Sequence, residues 1–320
     1  MPSADVAKAG RVVLITTGGT IAGVAATARE HVNYRAGVLG AADLLAAVPG
    51  LAGAAVESMA LAQLDSCDMD HATWLRLAKA IEDQLARPEV TGVVVTHGTD
   101  TLEETAYFLH HTVRAFKPVV LTAAMRPATA LSPDGPQNLA DAMTVASGAG
   151  QHGARGVLAV MGGVVHAGVA LRKLHGYRLD AFGSGDAGPV ALVQEGVVRA
   201  LRDWPGVDPR FAAVLRSDVA HWPVVEIVTS HAGARAATLE ALVAAGARGL
   251  VLAGTGNGTV HAALRAAAER AQQQGVRVVR ATRCVAGGVV GALPDALPSA
   301  GDATPAQARV RLMLGLISDG

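Results

Sequence analysis

Cysteine is nearly absent: Cys67 and Cys284 are the only two in 320 residues, too few for a disulfide framework and without metal-site spacing. Charge is also sparse. Acidic and basic side chains make up 17% of the chain, against the usual quarter, and they balance at 27 each with a pI near 7.2. That balance offers no general attraction to nucleic acid or to an anionic membrane surface, so the expected partner is a small molecule. Long apolar runs are missing too. The longest charge-free apolar stretch, Gly156 to Leu171, holds four glycines and a histidine in 16 residues, short of a membrane helix. The first ten residues, MPSADVAKAG, contain no apolar segment of a secretory signal, which makes the cytoplasm the default compartment. No H-E-x-x-H or C-x-x-C occurs, and His110 and His111, adjacent on a helix, are not expected to face one ion, so no metal is implied. GTGNG at Gly254 to Gly258 lacks the final glycine of G-x-G-x-x-G, and no GK[ST] follows the first glycine loop, so no cofactor is expected.

Hydrophobic residues make up 51% of the sequence, enough for a large core, and the length favours one large and one smaller domain over a single unit. Short apolar strands (Arg11 to Thr16, Gly92 to Thr96, Pro118 to Ala123, Gly156 to Met161) alternate with alanine-rich helical segments. This is the pattern of an α/β fold with a doubly wound, mainly parallel sheet. It predicts the larger α/β domain over residues 1–198. From about Arg199 to His221 the period breaks into Arg, Asp, Pro and Gly, which reads as a linker over 199–221. A smaller α/β domain then fills 222–320, with strands Pro223 to Thr229, Gly249 to Ala253 and Val276 to Ala281, helices Ala234 to Ala245 and Val260 to Gln274, and a closing helix from Thr304 to Ile317.

Two strands end in the same way. Val12 to Ile15 runs into TTGGTIAG at Thr16 to Gly23, and Val93 to Val95 runs into HGTDT at His97 to Thr101. In an open parallel sheet, strand ends of this kind are where ligands bind. Gly18 and Gly19 clear the space beside Thr20, whose hydroxyl could then meet a substrate near outward-turned amides, an arrangement suited to acyl transfer. Thr101-Leu102-Glu103-Glu104 reads as a capping box that starts a helix, placing Thr99 and Asp100 at its positive end. The stretch Gly23 to Arg35 lacks a clean period and reads as a closing loop. Lys173, one of few lysines, follows a glycine-rich apolar run; by itself it reads as a surface charge, but between a carboxylate and hydroxyls a lysine can pass protons.

The ordered set TTGGTIAG, NYRAG (Asn33 to Gly37), LDSCDM (Leu64 to Met69), THGTDTLEETAYFL (Thr96 to Leu109), AMRPATALSPDGPQNL (Ala124 to Leu139) and GTGNG resembles the bacterial-type L-asparaginases over most of the chain. The resemblance implies amide hydrolysis of L-asparagine, with L-glutamine as a possible second substrate, by homotetramers of intimate dimers. Thr20 would be the nucleophile and Tyr34 its activating partner on a mobile loop. Thr99, Asp100 and Lys173 would form a second catalytic triad. Gly19, Ser66, Cys67, Thr99, Asp100 and Ala124 would line the substrate, with the oxyanion near the amides of Gly19 and Thr99. Asn257 would reach in from another subunit.

Two departures stand against the family pattern. Cys67 occupies a position where many members carry a substrate-touching glutamine. No glutamate follows Glu269, so the family's acidic residue after the strand ending near Arg283 has no clear counterpart; Asp295 and Asp302 are the only acids between Arg283 and Asp319. Competing readings are a sister amidase of the same fold for another small amide or a D-isomer, and a nucleotide-binding module using the glycine turns for phosphate.

Overall fold

The computed structural model describes residues 10–50, 55–148, 153–291 and 297–319. Residues 1–9, read above for a signal, and Asp295 lie outside them. Two compact units emerge. One runs to Ser184 and includes Gly188–Pro209; the other comprises Gly185–Ala187 and the residues from Arg210 on. The division falls inside the segment 199–221, which also contains the end of a strand and two short 3-10 turns, Ala212–Arg216 and Val219–His221.

The first unit contains strands β1 (Arg11–Gly18), β2 (Val24–Ala25), β3 (Tyr34–Arg35), β4 (Val56–Leu64), β5 (Val90–Thr96), β6 (Val119–Thr122), β7 (Val157–Met161), β8 (Val164–Ala167), β9 (Arg172–Lys173), β10 (Phe182–Gly183), β11 (Ala191–Gln194) and β12 (Val197–Ala200). Its helices are α1 (Ala41–Ala46), α2 (His71–Leu85), α3 (Leu102–Thr112) and α4 (Gly135–Ser147). Eight strands form one sheet in the order β12-β11-β8-β7-β6-β5-β1-β4. From β4 to β7 the pairings are parallel; β8, β11 and β12 extend the sheet antiparallel. The expected mainly parallel, doubly wound sheet is therefore present, with an antiparallel extension that the apolar runs did not reveal.

Two features of this sheet matter for the site. The chain passes from β1 to β4 on one side, then crosses to β5 on the other, so strand order reverses between β1 and β5. Ligands bind at the carboxyl ends of strands at such a switch point. The second feature is rigidity. Val93, Val94, Val95, Val119, Val120 and Leu121 are fully buried, as expected of parallel strands covered on both faces. On one face Leu139, Ala142 and Met143 of α4 pack with Leu14, Val94 and Val120, and elsewhere Trp74 of α2 stacks on Phe108 of α3 at 5.1 Å. The run Gly156 to Leu171 resolves into β7 and β8, joined by Gly162 and Gly163 with φ of 57° and 73°. That two-residue hairpin turn requires positive φ at both positions, which glycine supplies without strain. Among the described residues no helix is long and apolar enough to cross a membrane.

The second unit holds a three-stranded parallel sheet of β13 (Val225–Thr229), β14 (Gly249–Gly254) and β15 (Arg277–Thr282), with helices α5 (Ala237–Ala244), α6 (Ala262–Gln273) and α7 (Pro305–Ser318). Alternation along β14 splits its faces. Leu250 and Leu252 pack with Leu239, Leu264 and Ala267, whereas Val251 packs with Ala281 and Ala308. At the start of α7 the Thr304 hydroxyl accepts from the Gln307 amide at 3.2 Å, and the Gln307 carboxamide accepts from the Thr304 amide at 3.1 Å. This is a complete capping box, with Pro305 in the first turn.

Candidate active site

Three sequence segments converge at the carboxyl ends of β1 and β5 because their backbones approach too closely for side chains. A Cβ on Gly19 would lie 2.4 Å from the Cα of Gly98, and one on Gly98 would lie 2.4 Å from the Ser66 hydroxyl. Gly18, at φ 107°, would place a Cβ 2.3 Å from the Leu64 carbonyl. TTGGT, LDSCD and HGTDT are thus held together by absent side chains, with Thr20 and Thr99 each one residue beyond a touching glycine. Ser66, itself buried, ties the second and third segments: its hydroxyl accepts from the Asp100 amide at 3.1 Å, and its carbonyl accepts from the Thr101 hydroxyl at 2.7 Å.

Each threonine has a proton-carrying partner. The Thr20 hydroxyl lies 2.6 Å from the Tyr34 hydroxyl. Tyr34 reaches it because β2 and β3 form a short antiparallel pair and Gly23 leaves room for the ring, 2.8 Å from where a Cβ would stand. Burial pushes the Tyr34 phenol above its ordinary pKa, the bond to Thr20 opposes this, and Asp65 and Asp100 add to the rise. Tyr34 is therefore a phenol at neutral pH. It can relay a proton from Thr20 only while passing its own onward. Lys173 places its ammonium 2.9 Å from the Thr99 hydroxyl and 2.6 Å from the Asp100 carboxylate. The lysine side chain is 20% exposed and the aspartate 54%, so Lys173 is largely covered and not the surface charge it resembles in isolation. Its strand β9 pairs with β10, Lys173 opposite Phe182, and its backbone amide donates to Glu103 at 3.1 Å.

Comparison with known proteins finds relatives over most of the chain. The profile "Asparaginase, N-terminal" covers residues 11–205, and "Glutaminase/Asparaginase C-terminal domain" covers residues 224–319. The chain belongs to the asparaginase family. It is 37% identical to L-asparaginase 2 of Bacillus subtilis over 95% of this chain and 81% of that protein. It is 34% identical to the glutaminase-asparaginase of Pseudomonas fluorescens over 97% and 87% of the two chains. The crystal structure of a probable cytoplasmic L-asparaginase from Campylobacter jejuni superposes with a TM-score of 0.89 at 36% identity, covering 96% of this chain and 95% of that one. Both the family resemblance and the two-domain α/β fold expected from the sequence hold.

Within this asparaginase frame several expectations change. The Gly19 amide donates to the Leu64 carbonyl at 2.9 Å, so it is spent on the loop and is not an oxyanion donor; Gly19 serves by permitting close approach. The capping box at α3 does not form. Thr101 makes no cap bond, because its hydroxyl turns to the Ser66 carbonyl. The stretch Gly23 to Arg35, read as an aperiodic loop, contains the β2–β3 pair and is pinned where the Ala128 amide donates to Gly23 at 2.9 Å and the Leu131 amide to Ala28 at 3.0 Å. Ala124 is fully buried. Its loop is fixed by Asp134, which accepts from the Met125 and Arg126 amides at 2.9 Å, and by Asn138, which donates to the Ala123 carbonyl at 2.9 Å. Cys67 is exposed, and burial, Asp65, Asp68 and Asp100 raise its thiol pKa, leaving a neutral group there. In the second unit the Asn257 carboxamide donates to the Val290 carbonyl and accepts from the Val290 amide, both at 2.7 Å, leaving one N–H and one lone pair for another partner. The Asp302 carboxylate lies against Gly288, where a Cβ would be 2.6 Å from it.

Sequence reasoning missed a buried chain beneath HGTDT. Trp74 donates to the Thr105 hydroxyl at 2.8 Å, Thr105 lies 3.0 Å from His97 Nε2, and His97 Nδ1 lies 2.7 Å from the Gly98 carbonyl. Trp74 can only donate, so Thr105 passes its own proton to Nε2 and His97 donates from Nδ1 to Gly98. The carbonyl of Gly98 belongs to the peptide whose N–H is that of Thr99, and holding one end orients the other. The histidine in the motif was visible; Thr105, 8 positions from it, and Trp74, 31 positions from Thr105, were not.

Burial lowers the pKa of both His97 and His166 from 6.5 to about 4. Between those values the unfolded chain binds protons that the folded chain refuses, so stability falls as pH drops from about 6.5 toward 4, by roughly 3 kcal/mol at most for each histidine. Urea unfolding from pH 7 to 4 should show this decline, and His97→Gln should make the profile shallower. An unchanged slope in that variant would contradict the assignment.

Proposed function

We propose that this chain hydrolyses the side-chain amide of L-asparagine to L-aspartate and ammonia, with L-glutamine as a slower substrate. What carries the reading is the pair of activated hydroxyls, Thr20 on Tyr34 and Thr99 on Lys173 and Asp100, on loops in contact at the switch point of the sheet. Thr20 Oγ1 attacks the amide carbon as its proton passes to the Tyr34 oxygen and the phenol hands its own proton onward, toward the departing nitrogen. The C–N bond then breaks as the nitrogen takes a proton and leaves as ammonia, and water cleaves the resulting ester. Lys173 holds Thr99 and Asp100 in place and can exchange protons with the Thr99 hydroxyl during these steps. Asp100, half exposed, is suited to the substrate ammonium, and the Ser66 hydroxyl proton to the carboxylate. Asn257 of a neighbouring chain, oriented by Val290, supplies a further contact in a homotetramer; an active monomer in sedimentation at assay concentration would refute that sharing. The Campylobacter jejuni relative is named as cytoplasmic, and the same compartment is proposed here.

The test is ammonia release across a panel of L-asparagine, L-glutamine, D-asparagine and simple amides. L-Asparagine should give the highest kcat/KM. A higher value for a D-isomer or an amide lacking the α-carboxylate would assign the chain to a sister amidase.

A further inference from the structure

The far end of α3 gathers three metal-ligating side chains that amide hydrolysis does not use. We propose that His110, His111 and Asp208 form a binding site for a single zinc ion. One donor atom from each, two imidazole nitrogens and a carboxylate oxygen, all lie within 4.8 Å of one another. The expectation that adjacent histidines on a helix cannot face one ion fails here. Successive residues do diverge by about 100° around the axis, but at the last turn the two rings swing together, edge to face with centroids 4.8 Å apart. Tyr107 packs edge-on against His111 at 4.6 Å and limits how that ring can turn.

The donor set selects the ion. Two imidazoles with one carboxylate suit zinc, whereas calcium and magnesium prefer oxygen throughout. Zinc bonds of about 2.0 to 2.2 Å place tetrahedral ligands about 3.4 Å apart. His111 Nδ1 and the Asp208 carboxylate are already 3.6 Å apart. The Asp208 side chain is 33% exposed and has room to adjust toward an ion, while that of His111 is 6% exposed. The exposed side of the aspartate gives the ion a way in and leaves the fourth position to water. The carbonyl end of a helix adds partial negative charge that favours a cation. α3 is 11 residues long, so the site lies about 15 Å from Thr99 and Asp100 at the other end. Zinc there would tie the helix that follows HGTDT to the segment ending the first unit, acting on stability and not on the amide chemistry.

The experiment uses the full chain without an affinity tag, stripped with chelator and dialysed. Zinc titration by calorimetry in a non-coordinating buffer should give one site per chain. Cobalt(II) should give the visible absorption of a four-coordinate ion, and at a hundredfold excess over Kd zinc should raise the thermal midpoint by about 5 °C. Asp208→Asn and His110→Gln, with folds checked by circular dichroism, should each weaken binding tenfold or more. Wild-type affinity weaker than about 100 μM, or affinity unchanged in both variants, would overturn the site. The first outcome would leave His111 and Asp208 as an ion pair formed on protonation.

Discussion

Thr20→Ala should lower kcat for L-asparagine by a factor on the order of a thousand or more, as for a residue whose loss removes the covalent step. L-Aspartate should still bind, because Ser66, Asp100 and the glycine contacts are untouched. The fold should survive: Thr20 is buried, but the variant loses one hydroxyl and one methyl and leaves the Tyr34 hydroxyl near solvent, at a cost of about 1 to 2 kcal/mol. Single-turnover assays with quenched product separate the two possible results. Retention of more than about a tenth of wild-type kcat would remove Thr20 from the nucleophile's role.

Lys173→Met should also cost about a hundredfold to ten-thousandfold in kcat, the range for a positioned proton-transfer group. The matching change Thr99→Val should cost a similar factor. If Lys173 acts through the 2.9 Å bond to Thr99, the double variant should be hardly worse than the worse single one. Losses that multiply would show two independent contributions. Stability distinguishes this from a structural role. The Asp100 carboxylate is more than half exposed, so water screens its ion pair with Lys173, and removing the pair should cost at most about 1 kcal/mol. A Lys173→Met variant that loses several kcal/mol of stability along with its activity would make Lys173 a structural residue.

Strand ends and the residues that stop them were legible because their causes are local. A run such as Val93 to Val95 predicts a buried strand, and glycine with threonine after it predicts an exposed turn. Period and punctuation also separate the two α/β units and foresee the start of α7, where Thr304 and Gln307 meet within one turn. The same reasoning misled at α3. Thr101 and Glu104 have the spacing of a cap, yet Thr101 gains a partner in Ser66, brought alongside by β4, and no local rule contains that alternative. The lysine was ambiguous for the same reason. Only the pairing of β9 with β10 lays Lys173 against residues 73 and 74 positions earlier.

What the sequence determined alone is the inventory: two glycine-threonine strand ends, a tyrosine in an NYxxG segment, and too little charge or cysteine for most other chemistries. What only the tertiary structure decided is which groups are already engaged. The Gly19 amide is consumed by Leu64, the Asn257 carboxamide is held by Val290, and two neighbouring histidines turn toward one aspartate far along the chain. Strand order sets which backbones touch, and a hydrogen bond made at that contact uses up a donor or acceptor whose availability no spacing in the sequence can show.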